Sequence, residues 1–365
     1  MTIDIFPSRT LTLYLAKMFS LRILAVLVML VLVLMMLDLL STSGEILAVP
    51  GNSEAELWLY ASLRVPLLIQ RFLPYSVLLA TIITLVTLNQ NSEVIAMKAS
   101  GLSAHQVLAP LIFTAMVVAG VSFAFNERVV TRAAAQLNVW EKSEFGALPD
   151  APQDRGSIYL VDGPNILTAR TYEGSGPAPR LRDVTYYRRS PSGEITQQID
   201  ARLAVRGSDG WAMQTPRIFT VGTASVAQSN EITVAPGITP SQIELANVDP
   251  AAQPFWELDD SIAAYRAAGR DASELEANYW HKISGPLAAV LMPILGAVAG
   301  FGLARSGQLF MRAVIGMFLG FAYFVVDNAA LAMGNFGGYP PFLAAWAPFF
   351  LFFLIGETVL VRTEE

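Results

Sequence analysis

Leu88-Asn-Gln-Asn-Ser-Glu93-Val-Ile-Ala-Met-Lys98-Ala-Ser-Gly101-Leu-Ser103 is a short amphipathic stretch between two long apolar ones. Asn91 or Ser92 can cap a helix, Glu93 falls in its first turn, and Gly101 can end it. Val94, Met97 and Gly101 share one face, while Glu93, Lys98 and Ser100 lie off it. A helix this short cannot cross a bilayer. It fits either a polar connector or a helix lying along a membrane face with Glu93 offered to a partner. The flanking runs set its context.

Hydrophobic residues make up 53% of the chain and charged residues only 15%, against about a quarter charged in a soluble domain. Mean hydropathy is +0.47. The shortfall of charge is concentrated in runs of the length a bilayer needs, about 20 apolar residues. A net charge of −6 gives no support to a nucleic-acid partner. Cysteine is absent, which excludes disulfides, a thiol nucleophile and thiolate metal sites. With His105 and His281 the only histidines, a histidine-built metal centre is not expected.

From the N-terminus, Arg9, Lys17 and Arg22 precede or open the apolar run Leu21–Leu40. That run exceeds a signal-peptide core, and Ser41–Ala48 has no small-x-small cleavage site, so it is read as a retained first span with a cytoplasmic N-terminus. Ser41–Leu63 is expected as an outside loop. Val65–Leu88 forms the second span, Val107–Phe125 the third. About Ile283–Leu303, Met311–Ala332 and Pro341–Val361 form three more. Arg305 and Arg312 fall on the inside, and both termini are cytoplasmic. Gly296/Gly300 and Gly316/Gly320 have the spacing that permits close helix approach, within the chain or between chains.

Arg128 to Asn278 differs in character. Ser157–Val161, Asn165–Tyr172, Leu181–Tyr187, Glu194–Val205, Trp211–Thr220 and Glu231–Val234 alternate apolar and polar residues, separated by Asp-Gly, Glu-Gly and Ser-Gly turns, as half-buried antiparallel strands do. A helical lead-in, Arg128–Phe145, and a return helix, Asp259 to about Glu276, flank them. The fold class expected is thus an α-helical polytopic membrane protein of six transmembrane helices with an inserted extracytoplasmic all-β jelly-roll-like domain. Its parts are residues 1–127 with three spans and the short helix, 128–278 as the β domain, and 279–365 with three spans.

No phosphate-cradling P-loop, G-x-S-x-G or H-E-x-x-H occurs, and no enzyme is indicated. Ionisable residues in or near spans remain: Arg22, Asp38, Arg71, Arg312 and Asp327. Charge in hydrocarbon costs roughly 2.5–3.5 kcal/mol on insertion scales, so such groups usually face a cavity, partner or ligand. Arg22 and Arg312 can snorkel. Arg71 fits either a bidentate grip on a lipid phosphate or carboxylate, or a structural pair with Asp38 or Asp327.

Three groups of residues resemble the lipopolysaccharide-export permease family of ABC transporters: Phe72-Leu73-Pro74 followed by Asn91–Gly101; Tyr279-Trp280-His281-Lys282-Ile283 with Pro286; and Tyr323–Asn328 with Pro340-Pro341 and Ala345–Pro348. The likeness covers the whole chain, and Asp327-Asn328 is closer to the family's G-type subunit than to its F-type paralogue. The resemblance implies a non-catalytic permease subunit that takes lipopolysaccharide from the outer leaflet of a Gram-negative inner membrane and passes it to a periplasmic bridge. It implies a heterodimer with a paralogous F-type permease on a cytoplasmic ABC ATPase dimer that uses ATP and Mg, so this chain binds no cofactor. Periplasmic bridge and single-span proteins are the further partners. Asn91–Ser103 becomes the coupling helix, with Glu93, Ala96, Met97, Ser100, Gly101, Leu102 and Ser103 as coupling residues. The first and fifth spans line a lateral gate.

Family members carry lysines after the aspartate at the outer end of the first span. Here Ser41, Thr42 and Glu45 follow Asp38. The lipid-contact set expected is therefore Asp38, Arg64, Arg71, Phe72 and Asp327, with charge supplied from the second span. The alternatives are a mechanotransmitting ABC permease that only relays ATPase strokes, and an envelope scaffold without transport.

Overall fold

The computed structural model describes residues 7–146, 158–173, 179–222, 225–240, 243, 248–267, 270–300 and 308–364. The chain opens with α1, Arg9–Ala48, whose first turn is capped by Ser8 accepting from the Leu11 N–H. The helix runs past the apolar run because Ser41 folds its hydroxyl back onto the Asp38 carbonyl at 2.8 Å, satisfying itself without leaving the helix. The expected loop Ser41–Leu63 shrinks to residues 49–53. A capping box, Ser53 with Glu56, starts α2, Glu54–Gln90, which carries Pro66 and Pro74 inside it.

After a two-residue break come α3, Glu93–Ala99, and α4, Ala104–Phe125. A π-helical turn, Asn126–Val130, carries α4 into α5, Thr131–Lys142, as one continuous rod. π turns inside helices are rare and often mark functional positions. The second half holds α6, Phe255–Ala267; α7, Ser273–Gly300; α8, Gln308–Asn335; and α9, Pro341–Glu364. The expected helix Asp259–Glu276 is thus two helices. Arg270 N–H closes α6 on the Tyr265 carbonyl, and Asp271 Oδ1 accepts from Ser273 N–H at the start of α7.

Among the described residues, five helical segments are long and apolar enough to cross a membrane: Arg9–Ala48, Glu54–Gln90, Ala104–Lys142, Ala313–Asn335 and Pro341–Arg362. The fourth expected span, about Ile283–Leu303, lies in α7. Residues 301–307, including Arg305, are outside the described set.

Between α5 and α6 lies one antiparallel sheet: β1 Ile158–Asp162, β2 Asn165–Glu173, β3 Arg180–Arg189, β4 Ile195–Arg206, β5 Trp211–Gln214, β6 Arg217–Thr220, β7 Ser225–Gln228 and β8 Glu231–Val234. The strand order β1-β2-β3-β4-β5-β8 is supplemented by β6 on β4 and β7 on β6. β4 gives Leu203–Arg206 to β5 and Gln197–Asp200 to β6 on one edge. The sequence reads Trp211–Thr220 as one strand. It breaks at Thr215, held at φ 45°, before Pro216, which has no N–H for a ladder. β7 is missed because Val226, Ala227 and Gln228 are all exposed and the short strand carries no apolar alternation.

One sheet face is apolar. Leu167, Leu181, Val184, Ile199, Trp211 and Met213 gather there with Ile238 and Ile243 from beyond β8. Trp211 Nε1 donates to the Ile238 carbonyl at 2.9 Å. A side chain on Gly237 would meet Asp162 Oδ1 at 2.6 Å, so the end of β1 lies beside the segment after β8. The sheet therefore curls around its own core. Consecutive hairpins make most of it, so the described pairings show a curled meander and do not by themselves establish the expected jelly roll. β1, β7 and β8 each pair on one side only.

In the helical bundle, α7 packs against α2, α4, α8 and α9. Gly296 on α7 lets Thr81 of α2 approach, and Gly320 on α8 does so for Leu78. Both glycines serve packing within the chain. α1 lies on α2 and α4, and α8 on α7, α9 and α2. α2 runs into α3 and α4 leads away from it, so α3 sits at one end of the bundle and the sheet at the other.

Candidate functional site

At the α3 end, Ser92 takes a left-handed conformation, φ 58°, and makes no side-chain cap. The close of the helix is better built. Leu102 N–H reaches the Met97 carbonyl at 3.2 Å and Gly101 N–H the Lys98 carbonyl at 3.0 Å, with Gly101 at φ +91°. That is a Schellman motif, and it needs a residue without Cβ at Gly101. Ser103 then caps α4 reciprocally with Gln106.

This geometry sorts the seven expected coupling residues. Ala96 and Ser100 are exposed, and Glu93 is half-buried. Met97 does not face outward: with Val94 it is buried in the main core beside Leu85, Leu88 and Val107. Leu102 also packs against that core. Gly101 and Ser103 shape the turn. The apolar contact on the outer face is Ile95, 55% exposed, which motif reading passed over. Glu93 is held from two sides, by Asn91 Nδ2 at 3.3 Å and by the Tyr14 hydroxyl of α1 at 3.4 Å. Nearby, His105 Nε2 lies 3.2 Å from Glu357 Oε2 of α9.

At the other end of the bundle, a chamber of about 390 Å³ opens between α2, the π turn, α7, α8 and the turn at Pro250-Ala251. Arg71 and Asp327 line it, and so do His281, Lys282 and Tyr323. Arg71 is nineteen residues from Gln90 along α2, about 28 Å at the helical rise. Asp327 is equally far from the start of α8. The hydrocarbon of a bilayer is about 30 Å thick, so both charges fall at one boundary level. No α1 residue lines the chamber. The chamber lies behind the second span.

Two charged groups of the chamber wall are paired. His281 Nε2 is 3.0 Å from Asp327 Oδ2. Lys282 Nζ is 3.6 Å from Glu127 Oε1 in the π turn, both largely buried. Glu127 Oε2 also accepts the Phe255 N–H at the start of α6. One carboxylate thus ties three elements. Phe72 stacks near Tyr75 at 5.8 Å, and Tyr75 meets Phe324 of α8 edge-on at 5.0 Å.

The five expected lipid contacts therefore divide. Asp38 and Arg64 are locked together: Arg64 Nε and Nη2 donate to Asp38 Oδ2 and Oδ1 at 3.1 and 3.2 Å, and the Tyr60 hydroxyl adds a bond at 2.7 Å. Arg71 pairs with neither Asp38 nor Asp327, and makes no hydrogen bond or ion pair with any described residue. Phe72 belongs to the aromatic row. Asp327 pairs with His281, a partner absent from the sequence-derived set.

No group of three or more histidines and carboxylates with metal-site geometry occurs among the described residues. Outside the bundle, burial first, then Asp162, raises the pKa of Tyr186, whose hydroxyl donates to Asp162 at 3.2 Å.

Long apolar helices in a bundle, a curled extramembrane sheet inserted between its halves, and ionisable groups at two opposite levels define a polytopic membrane protein. Residues 13–362 match the model of the family described as lipopolysaccharide export system permease LptF/LptG, and the chain belongs to that family. It is similar to the lipopolysaccharide export system permease protein LptG of Escherichia coli strain K12, 25% identical over 314 residues, 83% of this chain and 85% of the relative. It is also similar to the protein of the same name in Haemophilus influenzae, 22% identical over 330 residues, 86% and 89% of the two chains.

Proposed function

We propose that this chain is the G-type permease subunit of an ABC transporter that lifts lipopolysaccharide out of the outer leaflet of a Gram-negative inner membrane. Six spans cross the membrane, α7 supplying the fourth. The α3 end and both termini face the cytoplasm, and the sheet faces the periplasm as a jelly-roll-like domain. A cytoplasmic ATPase dimer, using ATP and Mg, docks on α3 through Glu93, Ala96 and Ser100, with Ile95 as the apolar contact. Met97 and Leu102 anchor α3 to the core so that the stroke reaches the bundle.

A paralogous F-type permease completes the transport path. α1 and α8 do not pack on each other extensively within this chain, and both leave large apolar side chains such as Leu32, Met36, Phe318 and Phe321 exposed. This supports a gate shared between two permeases. Asp38 with Arg64, Arg71 and Asp327 at the chamber, and Phe72 beside Tyr75, are the lipid-handling groups. A single-span protein and a periplasmic bridge receive the lipid by strand addition at β1 or β8.

The observation that carries the reading is the direct line through α2. One helix leads from the Arg71 boundary to the turn that presents Glu93. Purification of the chain from native membranes tests it. Co-purification of a P-loop ATPase and a related permease, with ATP hydrolysis stimulated by lipopolysaccharide, is expected. A stable solitary chain without ATPase overturns it.

A further inference from the structure

The chamber contains two oppositely charged groups without full partners. Asp327 is 7% exposed and Tyr323 is 3% exposed. Both line the chamber. The Tyr323 hydroxyl and Asp327 lie close enough to interact, yet neither that hydroxyl nor Asp327 Oδ1 has a hydrogen-bond partner at full bonding distance. A buried, charged carboxylate oxygen without a donor is unfavourable. At the same level, Arg71 is exposed and without a partner among the described residues.

The other charges do not complete either group. Lys282 is committed to Glu127, and His281 uses one ring nitrogen on the second Asp327 oxygen. A ligand fitting this arrangement needs a phosphate for Arg71, N–H donors with positive charge for Asp327, and an apolar tail for the lipid-facing side near Leu67 and Phe324. The chamber volume is within the range of small-ligand sites.

We propose that the chamber holds the phosphoethanolamine headgroup of a resident bilayer phospholipid, its ammonium on Asp327 and Tyr323 and its phosphate on Arg71. This lipid is distinct from the exported one. A primary ammonium carries three donors for the orphaned oxygens, whereas a trimethylated ammonium carries none. Arginine grips phosphate in bidentate fashion. The exported lipid, when it reaches this level, competes for Arg71.

The complete transporter complex is purified in detergent, stripped of lipid and exchanged into mixed vesicles. The vesicles hold equal amounts of phosphatidylethanolamine, phosphatidylcholine and phosphatidylglycerol, with no lipopolysaccharide. Native mass spectrometry then counts retained lipid. Retention of phosphatidylethanolamine at least fivefold over the other two is expected. Asp327→Asn should abolish the preference over phosphatidylcholine, and Arg71→Gln should lower retention of every phospholipid. Size exclusion and ATPase content confirm that both variants assemble. Equal retention of the three lipids, preference for phosphatidylglycerol, or a preference unchanged in Asp327→Asn overturns the proposal. The resting complex is measured, so the transport reading stands or falls separately on lipopolysaccharide-stimulated ATP hydrolysis.

Discussion

Tyr14 of α1 donates its hydroxyl to Glu93 of α3 at 3.4 Å, across 79 residues of chain. The carboxylate expected to meet the ATPase is therefore also in contact with the first long helix. Glu93→Ala should weaken co-purification of the ATPase several-fold while the chain still inserts and folds. Tyr14→Phe removes only the internal donor and should leave association at or above the wild-type level. ATPase recovery at wild-type strength in Glu93→Ala would remove the docking role from this residue.

Arg71 lies at the chamber with no hydrogen-bond or ion-pair partner among the described residues. Charge-assisted hydrogen bonds contribute about 1.5–3 kcal/mol, so Arg71→Ala should raise the lipopolysaccharide concentration for half-maximal ATPase stimulation by about tenfold or more. Unchanged stimulation by the reconstituted complex would show that Arg71 does not meet the lipid.

Asp38 and Arg64 form a bidentate pair with Tyr60 as third member. Arg64→Gln leaves Asp38 with a single strong donor. Loss of about 1–3 kcal/mol is expected, seen as a lower melting temperature of the detergent-solubilised chain. Tyr60→Phe should lose less, because the arginine stays in place.

Gly334 on α8 is closed in by the Ala344 Cβ, 2.5 Å from where its own Cβ would stand, and by the Ala277 Cβ at 3.2 Å. Neither alanine can rotate aside. Gly334→Val should destabilise the bundle by about 1–3 kcal/mol, measured by thermal unfolding. Gly320→Ala meets the mobile end of Leu78 instead and should be milder.

Asp271 accepts from the Ser273 hydroxyl and N–H, and these bonds lower its pKa below the ordinary aspartate value. A depressed carboxylate stabilises the fold above its unfolded pKa, and that contribution is lost as pH falls through the folded value. Asp271→Ala should cost about 1 kcal/mol at neutral pH through the lost cap. The gap between variant and wild type should narrow as pH falls below the ordinary aspartate pKa of about 3.9. A gap that is constant with pH would show that the carboxylate charge contributes nothing there.

The spans were legible because bilayer hydrocarbon demands long apolar runs, as in Leu21–Leu40 and Val107–Phe125. Their ends were not. Ser41 bonds to its own helix, and the Ser53–Glu56 box starts α2 well before its apolar run, so polar residues stay helical there. The hairpins were legible where glycine turns separate alternating strands, as at Asp162-Gly163. β7 was not, since its pairing with β6 leaves little apolar trace. Glu93 stood out by its place beside a helix start. The inward turn of Met97 was legible in the apolar face it shares with Val94, and it was the family likeness that set it among the coupling residues. The pairing of Asp38 with Arg64, rather than Arg71, depends on the phase of two crossing helices. His281 against Asp327 needs α7 and α8 in register, which spacing alone does not give.

The junction at Glu127 has a kinetic side. Its partners Phe255 and Lys282 lie 128 residues away and further along the chain, beyond the whole sheet. During synthesis the first four helices are made long before Lys282 leaves the ribosome. Glu127 must therefore wait in an incomplete joint while the sheet folds, and closing so long an interval is entropically slow. The two halves of the membrane part are locked to each other, and to the sheet's exit helix, in one late step.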